Sequence, residues 1–300
     1  MVAYTQPSRG VIKTSSGEIQ SFISTADFEN DRGTISSFGE EWKKFSSFTE
    51  EEISTAGGEY FDVITEEMLN KSSVVLDVGC GSGRWSRYIA PRVKWIEAVD
   101  PSDAVHAALE NLKGFSNVRV TQAGADTLPF PDESFDFIMA IGVLHHVPDT
   151  FSAMRKILAK LKPGGSFFVY LYYSLDNRGV MYKLLFYCSN IMRMLISALP
   201  GILKRVVCDM IAVVVYFPLA SAGKLMQKFF PGSSWLQSVP LSYYSGKSFF
   251  IMRNDALDRF GTPLEKRFSK KEIEEMLSAA GLREIRFSSR APFWHAVGKK

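Results

Sequence analysis

The stretch VVLDVGCGSGRWS, residues 74–86, decides the fold of this chain. Its first five residues are apolar apart from Asp77, and a short, nearly continuous apolar run is typical of a buried parallel strand. Gly79, Gly81 and Gly83 follow on alternate positions. Glycine lets the backbone turn tightly and lets a ligand approach without meeting a Cβ atom. The stretch therefore predicts a strand, a ligand-binding turn and then a helix.

The residues around the glycines narrow the class of ligand. A phosphate-binding P-loop needs a lysine after its last glycine, and a dinucleotide fingerprint needs its third glycine at position 84. Position 84 is Arg84, and no lysine follows the glycines. Asp100 comes 21 residues after Gly79, at the end of the next predicted strand, where an acid suits ribose hydroxyls. The pattern favours a nucleoside site.

The chain on either side alternates strands with helices. Pro91 stops the first helix, and Ser102 and Asp103 are candidate caps of the second. The apolar spacing predicts strands at 74–78, 93–99, 117–122, 135–141 and 166–172, with helices at 84–90, 102–112 and 151–161, the last ended by the KPGG sequence at 162–165. This order predicts an α/β, Rossmann-like, doubly wound parallel sheet. Such sheets bind ligands at the carboxyl ends of their strands.

Composition bounds the class of protein. The 300 residues are 46% hydrophobic and 22% charged, which suits one large globular domain or a core with an insertion. The net charge of +3 is too balanced to predict nucleic-acid binding. The three cysteines form no CxxC pair, and the N-terminus has no apolar signal segment. We therefore expect a reducing, cytoplasmic location.

Four motifs together resemble those of class I S-adenosylmethionine-dependent methyltransferases. They are VVLDVGCGSGRWS, AVDPS at 98–102, LPFPDESFDFIMAIGVLHHVPD at 128–149 and KPGGSFFVYLYY at 162–173. The resemblance is greatest to the small-molecule branch, which includes ubiquinone-biosynthesis and sterol-type enzymes. It implies a seven-stranded sheet whose last two strands form an antiparallel C-terminal hairpin. The C-terminal sequence fits this ending, because Ser269 and Glu272 make a capping box before an amphipathic helix.

The resemblance implies S-adenosylmethionine as cofactor and S-adenosylhomocysteine as product. Carried over by position, the cofactor contacts are Asp77, Gly79, Cys80, Gly81, Gly83, Asp100, Pro101, Ala125, Asp126, Ile141 and Gly142. Asp77 would lie near the cofactor amino group, Asp100 at the ribose, and Ala125 and Asp126 near adenine. One departure is that Gly124 stands where relatives often have an aspartate.

Two adjacent histidines are the candidate catalytic residues. His145 and His146 follow the fourth predicted strand, where the substrate side of such sites begins. Histidine titrates near neutral pH and is a natural proton acceptor for an oxygen or nitrogen acceptor group. Adjacent side chains point in different directions, so we favour His146 as the base. Two neighbouring histidines lack the spacing of a zinc site, and we predict no metal.

Two regions flank the predicted core. Residues 1–65 are predicted as an N-terminal arm or lid, residues 66–173 and 262–300 as the cofactor-binding domain, and residues 174–261 as a helical apolar insertion that caps the substrate. The candidate substrate residues are Trp42, Tyr172, Tyr173, Tyr243 and Tyr244. Pro218 and an uncharged run of only 14 residues, 210–223, argue against a transmembrane span. Peripheral membrane contact, with a membrane-associated location, and a homodimer interface are both open roles for the insertion.

We therefore expect an enzyme of class EC 2.1.1 that methylates an oxygen or nitrogen of a small or amphipathic acceptor, such as a lipid-like, quinone-like or glycan-pathway intermediate. The alternatives are a non-catalytic S-adenosylmethionine-binding or assembly subunit and, with less support, a nucleic-acid methyltransferase. The [DN]PP[YF] motif of enzymes that methylate base amino groups is absent, since the corresponding residues read AIGVLHH. The partner predicted here is a small-molecule acceptor and not nucleic acid.

Overall fold

The computed structural model describes residues 1–23, 48–230, 233 and 241–300. The chain divides into two compact units. The first unit consists of Met1–Ser174 and Leu264–Lys300, and the second unit is the intervening stretch of sequence, Leu175–Pro263. The second unit covers the predicted insertion, and the described parts of the predicted arm, 1–23 and 48–65, belong to the first unit. Trp42 lies outside the described residues.

The first unit is built on one sheet. Its strands are β1 (Gly10–Thr14), β2 (Gly17–Ser21), β3 (Val74–Val78), β4 (Trp95–Asp100), β5 (Val118–Gln122), β6 (Phe135–Ile141), β7 (Leu161–Tyr170), β8 (Arg283–Phe287) and β9 (His295–Lys299), in the order β1-β2-β5-β4-β3-β6-β7-β9-β8. Strands β5, β4, β3, β6 and β7 are parallel, and β9 is antiparallel to both β7 and β8. This confirms the α/β fold and its antiparallel ending.

The seven predicted strands are all present, and an N-terminal hairpin adds two more. β1 and β2 pair with each other, and β2 adds in parallel to the outer edge of β5. The Tyr4 hydroxyl and the Thr121 hydroxyl lie 2.8 Å apart on this side of the sheet. Residues 10–21 therefore extend the sheet at its outer edge.

Helices cover both faces of this sheet, as a doubly wound fold requires. They are α1 (Glu50–Tyr60), α2 (Arg84–Ile89), α3 (Ala104–Leu112), α4 (Thr150–Ala159) and, after the second unit, α9 (Lys270–Ala279). Leu76 and Val78 of β3 pack in the core that includes residues of α4 and α9, whereas Val75 packs in the core that includes residues of α2 and α3. The alternation follows from the two-residue period of a strand.

One predicted boundary is wrong. The KPGG sequence does not end the preceding helix, since α4 stops at Ala159 and β7 already begins at Leu161. The N–H of Gly164 donates to the Lys300 carbonyl at 2.8 Å, and the N–H of Lys300 donates to Gly165 at 2.9 Å. This pairing with the C-terminus draws the glycines into the strand. The predicted capping box is confirmed, because the N–H of Glu272 donates to the Ser269 hydroxyl at 3.2 Å.

The second unit is helical. It contains α5 (Val180–Ser197), α6 (Gly201–Ile211), a π-helical segment (Ala212–Tyr216), α7 (Phe217–Phe229) and α8 (Phe249–Gly261). α6, the π-helical segment and α7 form one helix, Gly201–Phe229, of 29 residues, long and apolar enough by length and composition to cross a membrane. Pro218 does not break it, because the proline sits in the first turn of α7, after a π-helical segment that accommodates the irregular hydrogen bonding.

Two neighbouring glycines of α1 make a matched test of how that helix docks. A Cβ atom on Gly57 would lie 2.2 Å from the Tyr88 ring, whereas one on Gly58 would have no heavy atom within 4 Å. We expect Gly58→Ala to raise the free energy of unfolding by about 0.5–1 kcal/mol, since alanine loses less backbone entropy in a helix. Gly57→Ala should lower it, because ring and helix must separate. Urea denaturation measures both, and equal gains would contradict this docking.

Candidate functional site

The glycine turn after β3 adopts a backbone that only glycine enters without strain. Gly79, Gly81 and Gly83 have φ angles of +72°, +54° and +81°. The N–H groups of Gly79 and Cys80 both donate to the Val99 carbonyl, at 2.7 and 3.0 Å. A Cβ atom on Gly79 would lie 2.3 Å from the Val143 side chain. The turn therefore joins the carboxyl ends of β3 and β4 and leaves bare main chain there.

Asp100 holds this turn in place. One oxygen of its buried carboxylate accepts the N–H of Gly81 at 2.9 Å, and the other accepts the N–H and hydroxyl of Ser102 at 2.8 and 2.6 Å. A carboxylate has about four lone-pair sites, so these three bonds leave one for a ligand hydroxyl. Burial raises the pKa of Asp100, and the bonds from Ser102 and Gly81 oppose that rise. The sequence predicted the ribose role of Asp100 and missed its bond to the turn.

Asp77 lies beneath the turn and titrates near neutral pH. Its carboxyl group is 1% exposed and accepts the Ser86 hydroxyl at 2.7 Å. Burial, with a smaller contribution from the charge of Asp100, raises the pKa of Asp77 to about 7. A nearby ligand cation would favour the ionised carboxylate. Asp77 is therefore a carboxyl group that a bound cation would shift from its neutral form toward its charged form.

The other predicted cofactor residues lie at the same edge of the sheet. Pro101 follows β4, Ala125 and Asp126 lie in the loop after β5, and Ile141 and Gly142 lie at the end of β6. The N–H of Gly142, with φ at +78°, donates to Tyr170 at the end of β7. Asp126 has an exposed side chain. Because β5, β4, β3 and β6 are neighbours, the structure places all of these segments along one edge.

The two histidines form a one-turn 3-10 helix after β6, and their rings lie 4.0 Å apart. The His145 ring stacks on Tyr172 at 3.8 Å. Among the residues that the structure describes, neither ring nitrogen of His145 has a hydrogen-bond partner. Burial lowers the pKa of His145 well below its usual value, and the nearby His146 and Arg267 lower it further. His145 is therefore a neutral ring at physiological pH.

His146 has a defined tautomer. Its Nδ1 atom lies 2.6 Å from the carbonyl oxygen of Leu264, and a carbonyl oxygen can only accept a hydrogen bond. The proton of the neutral ring is therefore on Nδ1, and the lone pair is on Nε2. A general base on an imidazole ring needs this arrangement.

A return segment, residues 264–268, brings that carbonyl group to the site. The N–H of Lys266 donates to the His145 carbonyl at 3.0 Å, and the N–H of Phe268 donates to Tyr172 at 2.8 Å. Arg267 donates from Nη1 to the Tyr173 carbonyl at 3.2 Å. Sequence reasoning missed this segment, because its contacts join parts of the chain that are more than 90 residues apart.

A histidine–aspartate pair lies at the same edge and was also missed. His295 begins β9 opposite Tyr170 and is fully buried. Its Nε2 atom lies 2.9 Å from a carboxylate oxygen of Asp62, and its Nδ1 atom lies 2.7 Å from the Pro292 carbonyl. Asp62 also accepts the Ser288 hydroxyl at 2.7 Å. Burial lowers the pKa of His295, and the Asp62 carboxylate opposes the shift. The pair joins the chain just after α1 to the end of the sheet.

The predicted substrate residues are divided between the two units. Tyr172 and Tyr173 follow β7 in the first unit, and Tyr172 contacts His145. Tyr243 and Tyr244 belong to the second unit, where the Tyr244 hydroxyl donates to Asp255 at 2.9 Å. Within the described ranges, no cluster of three or more metal-ligating side chains occurs.

Comparison with known proteins identifies the segment that carries the glycine turn. Residues 76–169 match the family model described as a methyltransferase domain. Three features of the site fit a nucleoside that carries an ammonium group. The glycines of the turn have positive φ angles, the carboxyl group of Asp77 becomes charged more readily beside a cation, and the carboxylate of Asp100 keeps one lone pair. Residues 76–169 thus match a methyltransferase domain in sequence and carry the candidate site, and the cofactor is S-adenosylmethionine.

Three relatives illustrate the extent of the similarity. An uncharacterized methyltransferase, YcgJ of Bacillus subtilis, is 35% identical over 34% of this chain and 42% of its own length. A tRNA U34 carboxymethyltransferase of Nautilia profundicola is 32% identical over 35% and 36%, and a demethylmenaquinone methyltransferase of Staphylococcus carnosus is 31% identical over 34% and 44%. The solved structure of YcgJ gives a TM-score of 0.46 at 21% identity, covering 76% of this chain and 69% of that one. The chain spans less than half the length of these three relatives in sequence.

The glycine turn yields a test with a matched control. Gly81 and Gly164 both have positive φ angles, +54° and +78°, but Gly164 lies at the opposite edge of the sheet. Alanine at either position should cost about 1–2 kcal/mol of stability, because its Cβ atom crowds a left-handed backbone. We expect only Gly81→Ala to weaken S-adenosylmethionine binding, at least tenfold in calorimetry. Equal affinities for the two variants would contradict the assigned site.

Proposed function

We propose that the protein transfers the methyl group of S-adenosylmethionine to an oxygen or nitrogen atom of a small amphipathic acceptor, leaving S-adenosylhomocysteine. The observation that carries this proposal is the tautomer of His146, which lies within the segment that matches a methyltransferase domain. A proton acceptor at this edge is needed when the acceptor group arrives protonated, and it is not needed by a module that only binds the cofactor.

We assign the cofactor contacts as follows. The bare turn of Gly79, Gly81 and Gly83 would support the methionyl part, with the carboxylate of Asp77 facing its ammonium group. Asp100 would accept a ribose hydroxyl at its remaining lone pair. The adenine would lie by Ala125 and Asp126, and the sulfonium by Ile141 and Gly142. When bound, the cofactor supplies an electrophilic methyl group on sulfur.

The chain then contributes orientation and a proton acceptor. His146 would take the acceptor proton at Nε2, while its Nδ1–H stays bonded to the Leu264 carbonyl and keeps the ring in place. The neutral His145 ring and Tyr172 would line the acceptor side, because they stack beside His146. An oxygen or nitrogen acceptor that arrives protonated needs this proton transfer.

The class of acceptor is the finer part of the proposal. The three relatives match only 34–35% of this chain, so the tRNA and quinone chemistry in their names does not identify the acceptor here. The balanced net charge of +3 gives little support to nucleic acid. The apolar residues of the second unit favour an amphipathic molecule.

Incubation with S-adenosylmethionine labelled in its methyl group tests this class directly. Wild-type protein is mixed separately with total lipid, total RNA and total protein from cells, and the label is followed by phase separation. The proposal expects label in the organic phase. Label in RNA would establish the nucleic-acid alternative, and cofactor binding without transfer to any fraction would favour a non-catalytic module.

Replacement of the base gives a second prediction. His146→Ala should lower kcat by about 100-fold or more, the range in which general bases act, while the affinity for S-adenosylmethionine stays near that of wild type. His106→Ala is the control, because His106 is exposed on α3. The ascending part of the wild-type pH–rate profile should disappear only in the His146 variant. A full rate in His146→Ala would remove this residue from the base role.

The titration of Asp77 gives a third prediction. Its folded pKa of about 7 lies above the ordinary value of 3.8, so the folded protein binds a proton between these values that the unfolded chain releases. Stability without cofactor should fall as pH rises from about 4 to 7. Binding an ammonium group favours the ionised form, so affinity should fall by up to about tenfold per pH unit below pH 7.

Asp77→Asn removes the titrating group while keeping the shape of the side chain. Calorimetry across this pH range should therefore give a weaker affinity and a flatter pH profile than wild type. Parallel profiles for the two proteins would show that Asp77 does not face the ammonium group.

A further inference from the structure

The second unit carries many of its large apolar side chains on the outside. Among the described residues of the first unit, the large apolar side chains with an exposed surface are Met1 and Val11. The second unit exposes many, including Val180 at 85%, Ile202 at 80% and Val214 at 70%. Soluble proteins rarely expose contiguous apolar surface of this extent, so this surface points to a partner.

Some charged groups of this unit are buried or half-buried and are paired within it. Arg193 of α5 is only 7% exposed and donates to the carbonyl groups of Thr262 and Pro263 at 2.9 and 2.8 Å. Arg253 of α8 forms two hydrogen bonds with Asp209 of α6, at 3.0 and 2.7 Å. These pairs leave part of the outer surface of the unit to apolar side chains, which is unusual for a helical bundle in water.

The 29-residue helix is exposed over most of its surface. Cys208, Ala212, Tyr216 and Ala220 form a narrow buried stripe at intervals of four residues. Its most apolar window has a mean hydropathy of 1.9 and is only 28% buried. A helix segment that is apolar all round is normally surrounded by protein or by lipid. Most of this window is not covered by the described parts of the chain.

The charge of the unit distinguishes a lipid surface from a second copy of the chain. Residues 175–263 hold ten Lys and Arg against four Asp and no Glu, a net charge of +6, although the whole chain has +3. Lys224 and Lys228 lie exposed at the end of α7. Two such faces would repel each other, whereas lysines beside apolar residues suit anionic headgroups over acyl chains.

We propose that the outward faces of α5 and of the helix Gly201–Phe229 insert into one leaflet of an anionic lipid bilayer. The uncharged part of the long helix, residues 210–223, has 14 residues and would extend about 21 Å, which is short of the hydrocarbon thickness of about 30 Å. α8, which carries Arg253, Asp255, Asp258 and Arg259, packs beside α6 and belongs in the aqueous or headgroup layer. The inference rests on the second unit alone and not on methyl transfer.

Co-sedimentation of the full chain with vesicles tests the inference. The vesicles are phosphatidylcholine alone or phosphatidylcholine with phosphatidylglycerol. We expect the protein to bind both kinds of vesicle. Binding should be stronger to the vesicles that contain phosphatidylglycerol, and salt should weaken it. The joint substitution Ile202→Glu, Val214→Glu and Phe229→Glu should weaken binding at least tenfold, and Val11→Glu is the matched control on the first unit. These exposed changes should leave the circular dichroism spectrum and S-adenosylmethionine binding unchanged.

A second pair of measurements separates lipid from the other occupant. Lys224→Gln with Lys228→Gln should reduce the preference for phosphatidylglycerol while leaving binding to phosphatidylcholine. Light scattering reports the oligomeric state in parallel. Absence of vesicle binding, equal binding by the triple variant, or a discrete dimer that the triple variant dissociates and that does not bind vesicles would each overturn the inference. None of these results would bear on the proposed cofactor contacts or on the role of His146.

Discussion

The site depends on the hydrogen bond from the Gly81 N–H to the Asp100 carboxylate, 2.9 Å long. This bond ties the turn after β3 to the end of β4, and the bonds from Gly79 and Cys80 to Val99 add a second tie. The turn has to take positive φ angles to make these contacts, so the residues must be glycines. The bare main chain and the buried acids of the cofactor site follow from that one constraint.

The alternation of strands and helices, and the cofactor edge, were predictable because their signals are local. Asp77, the three glycines and Asp100 lie within 24 residues of one another, and their position at one edge of the sheet follows from the strand order. The hairpin of β1 and β2 was missed because GVIKT and GEIQS are short and polar and pair at an edge. The start of β7 was misplaced because its glycines pair with Lys300, at the far end of the chain.

The acceptor side was less predictable, because distant contacts set its chemistry. Sequence indicated two histidines, but only the fold shows that Leu264 fixes the tautomer of His146 and that His145 is buried against Tyr172. The pairing of His295 with Asp62 joins residues 233 positions apart. The apolar content of residues 174–261 likewise predicted a helical insertion. It could not predict which side chains face outward, because this depends on which sides of α5 and α6 pack on α8.

The central claim is that S-adenosylmethionine binds on the turn of residues 79–83 with its ribose at Asp100. A crystal structure of the full chain with S-adenosylhomocysteine tests it most directly. The account predicts the methionyl part against the glycine turn, its ammonium group facing Asp77 and a ribose hydroxyl on the Asp100 carboxylate. The claim would be contradicted if S-adenosylhomocysteine were bound at another place. It would also be contradicted if a crystal soaked in a saturating concentration of S-adenosylhomocysteine showed no ligand at the turn.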